Sequence, residues 1–127
     1  MFENDYILRQ IENLTAFLGK VIFHKERTIE IIDGQGGISA SGLLYHRLTS
    51  LIADRKLNEA EDLLFEALEQ DPAAQNAEVA VQFYRDLQGL SDETLNRASF
   101  PREEILGGME AVKKLFLDAQ HGGTVSL

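Results

Sequence analysis

A chain of 127 residues with no cysteine and a formal charge of −9 cannot form a disulfide, a thiolate metal site or a cysteine nucleophile. Its acidic balance opposes docking on nucleic acid or an anionic membrane, because the repulsion of like charge must first be overcome. An apolar share of 44% at this length suits one domain burying roughly two thirds of its unfolded surface, and no apolar run approaches a membrane span.

From Asn4 to Lys25 the spacing predicts one long helix, with Asn4 or Asp5 as its cap. Ile7, Ile11, Leu14, Leu18 and Val21 recur at steps of four, three, four and three, which is a heptad seam. Phe17 and Ile22 widen it. The seam therefore serves either as the chain's own core face or as a self-association surface for a homodimer. Glu3, Asp5, Arg9, Glu12 and Lys20 break up the apolar positions, so the segment does not read as a signal peptide and a cytoplasmic location is expected.

Residues 26–40, ERTIEIIDGQGGISA, lose the helical period. Asp33-Gly34 and Gly36-Gly37 are turn chemistry, and the segment reads as a linker. It lacks the Lys-Ser/Thr of a phosphate-binding loop and the spacing of a dinucleotide fingerprint.

Residues 41–74 read as two antiparallel helices. Leu44, Leu48, Leu51 and Ile52 line the first, and Asp54-Arg55-Lys56 breaks it. Leu57, Ala60, Leu64, Ala67 and Leu68 line the second, while Glu59, Asp62, Glu66 and Glu69 form its solvated face. Asn58 and Glu61 have the spacing of a capping box, the alternative being a helix that starts a residue or two earlier. Asp71-Pro72 ends the pair, since a residue before proline is pushed out of the helical region.

With Ser41 as the first position, this hairpin resembles a 34-residue tetratricopeptide repeat. Leu44, Leu51, Ala60, Leu64, Ala67 and Pro72 fall where that repeat has its large apolar, alanine and proline positions. Arg47 and Leu48 depart from it. The next 34 residues do not repeat it, with Thr94, Ala98 and Pro101 at the matching places. The resemblance implies a ligand face at Tyr45, Thr49 and Ile52. The alternative is an ordinary hairpin in which Tyr45 and Ile52 pack under the first helix.

The chain is also similar to a small family of Firmicutes proteins of unknown function. The likeness rests on Asp5 to Glu12 and on the Asn-Glu-Ala-Glu segment Asn58 to Glu61. It covers most of the chain outside residues 26–40, and implies a fold but no activity.

Residues 75–120 complete the helical set. Ala80, Phe83, Tyr84 and Leu87 line a helix over 75–88, which Gly89 is expected to end in a left-handed conformation. Ser91 caps a short helix, with Leu90 and Leu95 as its hydrophobic staple. Pro101 starts the last helix, on which Ile105, Met109, Val112 and Phe116 form the buried stripe. Gly107-Gly108 inside that helix costs about 2 kcal/mol relative to two alanines, so another backbone is expected to approach there. Residues 121–127 read as a flexible tail.

The chemistry-bearing residues form no known constellation. His24, His46 and His121 sit on separate elements, neither His24 nor His46 at ligand spacing from a carboxylate or histidine, and no nucleophile elbow or metalloprotease motif is present. The expected fold is an all-α bundle of five or six helices. The expected function is a non-catalytic protein-interaction or self-association module without a cofactor or metal, its partner being a protein or a second copy rather than nucleic acid or membrane. The alternative is a small enzyme or ligand-binding protein with a pocket between helices, using Tyr84, Arg85 or His46.

Overall fold

The computed structural model describes residues 2–21 and 39–125, with the side chains of 5–19 and 39–118. Those residues form six α-helices, α1 (Phe2–Val21), α2 (Ala40–Ala53), α3 (Leu57–Gln70), α4 (Ala74–Gln88), α5 (Asp92–Arg97) and α6 (Arg102–Val125). The fold is an all-α helical bundle. Residues 22–25, expected to continue the first helix, and residues 26–38 of the expected linker lie outside the described residues.

Helix α4 is the centre. Its buried side chains are not one narrow stripe: Ala77, Val79, Ala80, Val81, Phe83, Tyr84 and Leu87 spread over more than half of its circumference. Small residues on several faces let other helices come close, and α4 packs against α1, α2, α3 and α6. Helix α1 lies on α4 and α6, while α2 and α3 pack on each other and on α4.

The stripes read from periodicity are the core. Leu44, Leu48 and Ile52 of α2, Leu57, Ala60, Leu64 and Leu68 of α3, and Ile105, Met109, Val112 and Phe116 of α6 are all buried. Glu59, Asp62, Glu66 and Glu69 face solvent. Helix α3 ends at Gln70, before Asp71-Pro72.

The helix ends differ from the sequence expectation at several places, first at α1, which begins at Phe2, ahead of the expected caps Asn4 and Asp5. Ser39 caps α2, its hydroxyl accepting from the Gly42 amide at 3.0 Å. Asn58 is not a cap: α3 starts at Leu57 with no side-chain cap, and the Asn58 amide donates instead to the carbonyls of Ala98 and Ser99 at 3.3 and 3.2 Å. Gly89 is right-handed, at φ −73°.

The left-handed positions are Arg55 (φ 62°) and Ser99 (φ 57°). Each completes a paired turn at a helix C-terminus. Arg55 and Lys56 donate to the carbonyls of Ile52 and Leu51, and Ser99 and Phe100 donate to those of Asn96 and Leu95. This is the pattern usually closed by glycine. Behind the second turn, Phe100 and Leu95 are both buried, which supplies its accompanying apolar contact.

Ser91 caps α5 as expected, accepting from the Thr94 amide at 3.1 Å. Helix α6 runs to Val125, past the boundary at residue 120 expected from sequence. No helix among the described residues is long and apolar enough to cross a membrane.

Candidate functional site

The candidate dimer seam of α1 is turned inward. Ile7, Ile11, Leu14 and Leu18 are at most 4% exposed within a single chain, so of the two readings of that stripe, core packing accounts for it. The side chain of Val21 lies outside the described ones.

The candidate ligand face on α2 is covered in the same way. Tyr45 is half-buried, and its hydroxyl donates to Asp86 of α4 at 3.0 Å; Asp86 also accepts from Gln82 at 2.9 Å. Burial, and then the neighbouring Asp86, push the Tyr45 hydroxyl up to about 12. Thr49 donates back to the carbonyl of His46 at 2.8 Å, and Ile52 is buried. Tyr45 is thus held in the α2–α4 contact, Thr49 is bonded within α2 and Ile52 belongs to the core.

A second cluster joins α3, α4 and α6. Tyr84 is fully buried, and its hydroxyl donates to Glu61 at 2.7 Å. A Cβ on Gly108 would collide with both groups, whereas one on Gly107 would meet nothing within 4 Å among the described residues. Gly108 therefore makes room for a side-chain pair, not for the backbone expected from the sequence.

Burial is the main cause that raises the Glu61 carboxyl above its usual range, with Glu104 and Asp62 adding to it and the Tyr84 bond opposing it. Burial first, then Glu61, raises the Tyr84 hydroxyl. The cluster is filled by its own members. His46 and Arg85, which would have converged with Tyr84 in a catalytic pocket, are exposed.

At the joint of α4, α5 and α6 lies Arg102, 8% exposed. Its guanidinium pairs with Asp92 and donates to the side-chain oxygen of Gln88 at 2.9 Å and to the Leu90 carbonyl at 2.9 Å. These partners lie 10 to 14 residues away in sequence, beyond any local spacing signal.

A groove of about 190 Å³ lies open between α1 and α6. Leu106 and Met109 supply its apolar lining, Tyr6 and Gln10 its α1 side, and Gly107 a position without a side chain. Tyr6 is 52% exposed. Glu110 and Lys113 also line it, with charged atoms 4.0 Å apart, and the Lys113 ammonium lies 5.7 Å from the centre of the Phe17 ring. Leu117, 43% exposed, follows Leu106 and Lys113 by eleven and four residues and so shares their face of α6.

The groove is smaller than the ~300–1,000 Å³ of small-molecule sites. Its polar groups are the Glu110–Lys113 ion pair, the Gln10 amide and the Tyr6 hydroxyl. Among the described residues no three histidine or acidic side chains come together as metal ligands. His24 and the side chain of His121 lie outside the description. The groove escaped the sequence reading because Tyr6 stands outside the heptad seam; its signal was an aromatic residue with no place in the core stripe.

A family model described as a family of unknown function, DUF6483, matches residues 1–117. No curated protein and no solved structure matches the chain.

Proposed function

The chain belongs to this family of unknown function, and we propose that it works as a non-catalytic protein–protein interaction module whose docking surface is the α1–α6 groove. The observation that carries this reading is the exposure of Tyr6, at 52%, in a groove lined by Leu106 and Met109, with Leu117, 43% exposed, further along the same face of α6. Large apolar side chains gathered along a groove between two helices are suited to receive an amphipathic helix.

The hairpin lends further support. Leu44, Leu51, Ala60, Leu64, Ala67 and Pro72 keep the tetratricopeptide-like pattern, and helical scaffolds of that kind present extended binding surfaces. With Tyr45 tied to Asp86 at 3.0 Å, however, the surface proposed here lies on the opposite members of the bundle. The likeness to Firmicutes proteins belongs to the same reading, as does action in the cytoplasm, which suits a chain without cysteine. Nucleic acid and anionic membrane are disfavoured as partners by the charge of −9.

Photo-crosslinking in cells tests this. A photoreactive residue at position 6 or 117 should give a discrete covalent adduct, and one at the solvent-facing position 69 should not. Absence of adducts at both groove positions, with the protein folded and expressed, removes the reading.

A further inference from the structure

Gly107 breaks a local rule with no packing reason among the described residues. Its neighbour Gly108 is required by the Tyr84–Glu61 pair, but a Cβ at position 107 would meet nothing within 4 Å among the described residues. The helix therefore carries the propensity penalty of a second glycine with no contact of its own to offset it. A bare helix surface allows an outside group to approach the backbone closely, and Gly107 lines the groove together with the exposed ring of Tyr6.

From these observations we propose that the groove binds a second copy of this chain, Tyr6 of each copy lying against Gly107 of the other. The inference rests on the reading of this surface as a protein-docking site. A two-fold interface must be self-complementary, since the same patch serves both partners. This patch has a projecting ring and a position without a side chain on one face.

Its charges obey the same requirement. Glu110 and Lys113 stand side by side at 4.0 Å, so the groove offers one charge of each sign. A two-fold rotation can set each against its opposite in the other copy. The repulsion between two chains of charge −9 is largely screened beyond about 8 Å at physiological salt.

Light scattering behind size exclusion, over low to high micromolar concentration, reads the result directly. The wild type should shift from 14.2 kDa towards twice that mass as concentration rises. Gly107→Leu fills the open space with a better helix former, and Tyr6→Ser alters an exposed position; both should keep wild-type helicity by circular dichroism. Each should weaken association by about tenfold or more, as loss of a central contact does. Leu43→Ser, at an exposed position on α2, should leave association unchanged.

A wild type that is monomeric throughout overturns the inference, as does a dimer indifferent to both groove substitutions. A monomer that still crosslinks at positions 6 and 117 to a different protein sinks only the self-association. A monomer with no crosslinks removes the docking reading with it.

Discussion

The hydroxyl of Tyr84 donates to the carboxylate of Glu61 over 2.7 Å, and the pair presses on Gly108 so closely that no side chain fits there. Three helices meet at this point through a phenol, a carboxylate and a missing methyl group. The buried hydroxyl keeps a partner, as burial of a polar group requires.

The two adjacent glycines of α6 should respond to alanine with opposite signs. Gly108→Ala forces Tyr84 and Glu61 to shift, and overpacking less the gain in helix propensity leaves a loss of about 1–2 kcal/mol. Gly107→Ala enters open space and should stabilise the monomer by about 1 kcal/mol. Urea unfolding at low protein concentration measures both. Equal effects at the two positions would contradict the packing described here.

Stability should depend on pH through Glu61. Its folded-state pKa is raised, chiefly by burial, so its favourable contribution is fully present below the ordinary carboxylate value. That contribution is lost as pH rises through the raised value. Acidification from neutral pH to about 5 should thus shift the stability difference between wild type and Glu61→Gln in favour of the wild type. A difference that stays flat would mean that Glu61 titrates as an ordinary surface carboxylate.

Replacing Arg102 by methionine should cost about 2 kcal/mol, because the Leu90 carbonyl and the Gln88 amide oxygen lose a charged donor. Asp92→Asn should cost less than about 1 kcal/mol, as the Asp92 side chain is 72% exposed. Denaturant titrations of the two variants should separate them. If Asp92→Asn were the more damaging, the carbonyl contacts would not be what holds the joint.

Ser99 sits at φ 57°, where a side chain is disfavoured. Ser99→Gly should raise stability by about 0.5–1 kcal/mol, and Ser99→Val should lower it by more than about 1 kcal/mol. Thermal unfolding of the two variants gives the check, with the order of melting temperatures Gly, wild type, Val.

Periodicity made the helical core legible: Ile7, Ile11, Leu14 and Leu18, or Ile105, Met109, Val112 and Phe116, can be buried together only on a helix. What periodicity could not reveal was who meets whom. Asn58 and Glu61 have capping-box spacing, but the left-handed turn at Arg55 starts α3 at Leu57 and frees both side chains for partners 23 to 41 residues away. Arginine carries no signal for a left-handed turn, so the sequence left the start open between Asn58 and a residue or two earlier. Gly107-Gly108 announced a close approach without saying that one glycine faced the interior and the other the groove.

The pairing of α1 with α6 bears on biosynthesis. About 80 residues separate Val21 from Arg102, so a ribosome adding ~5–20 residues per second makes the first helix roughly 4–16 seconds before its last neighbour. During that interval the apolar stripe Ile7, Ile11, Leu14 and Leu18 lacks part of its cover. The first helix therefore completes its packing only after the final helix has left the exit tunnel.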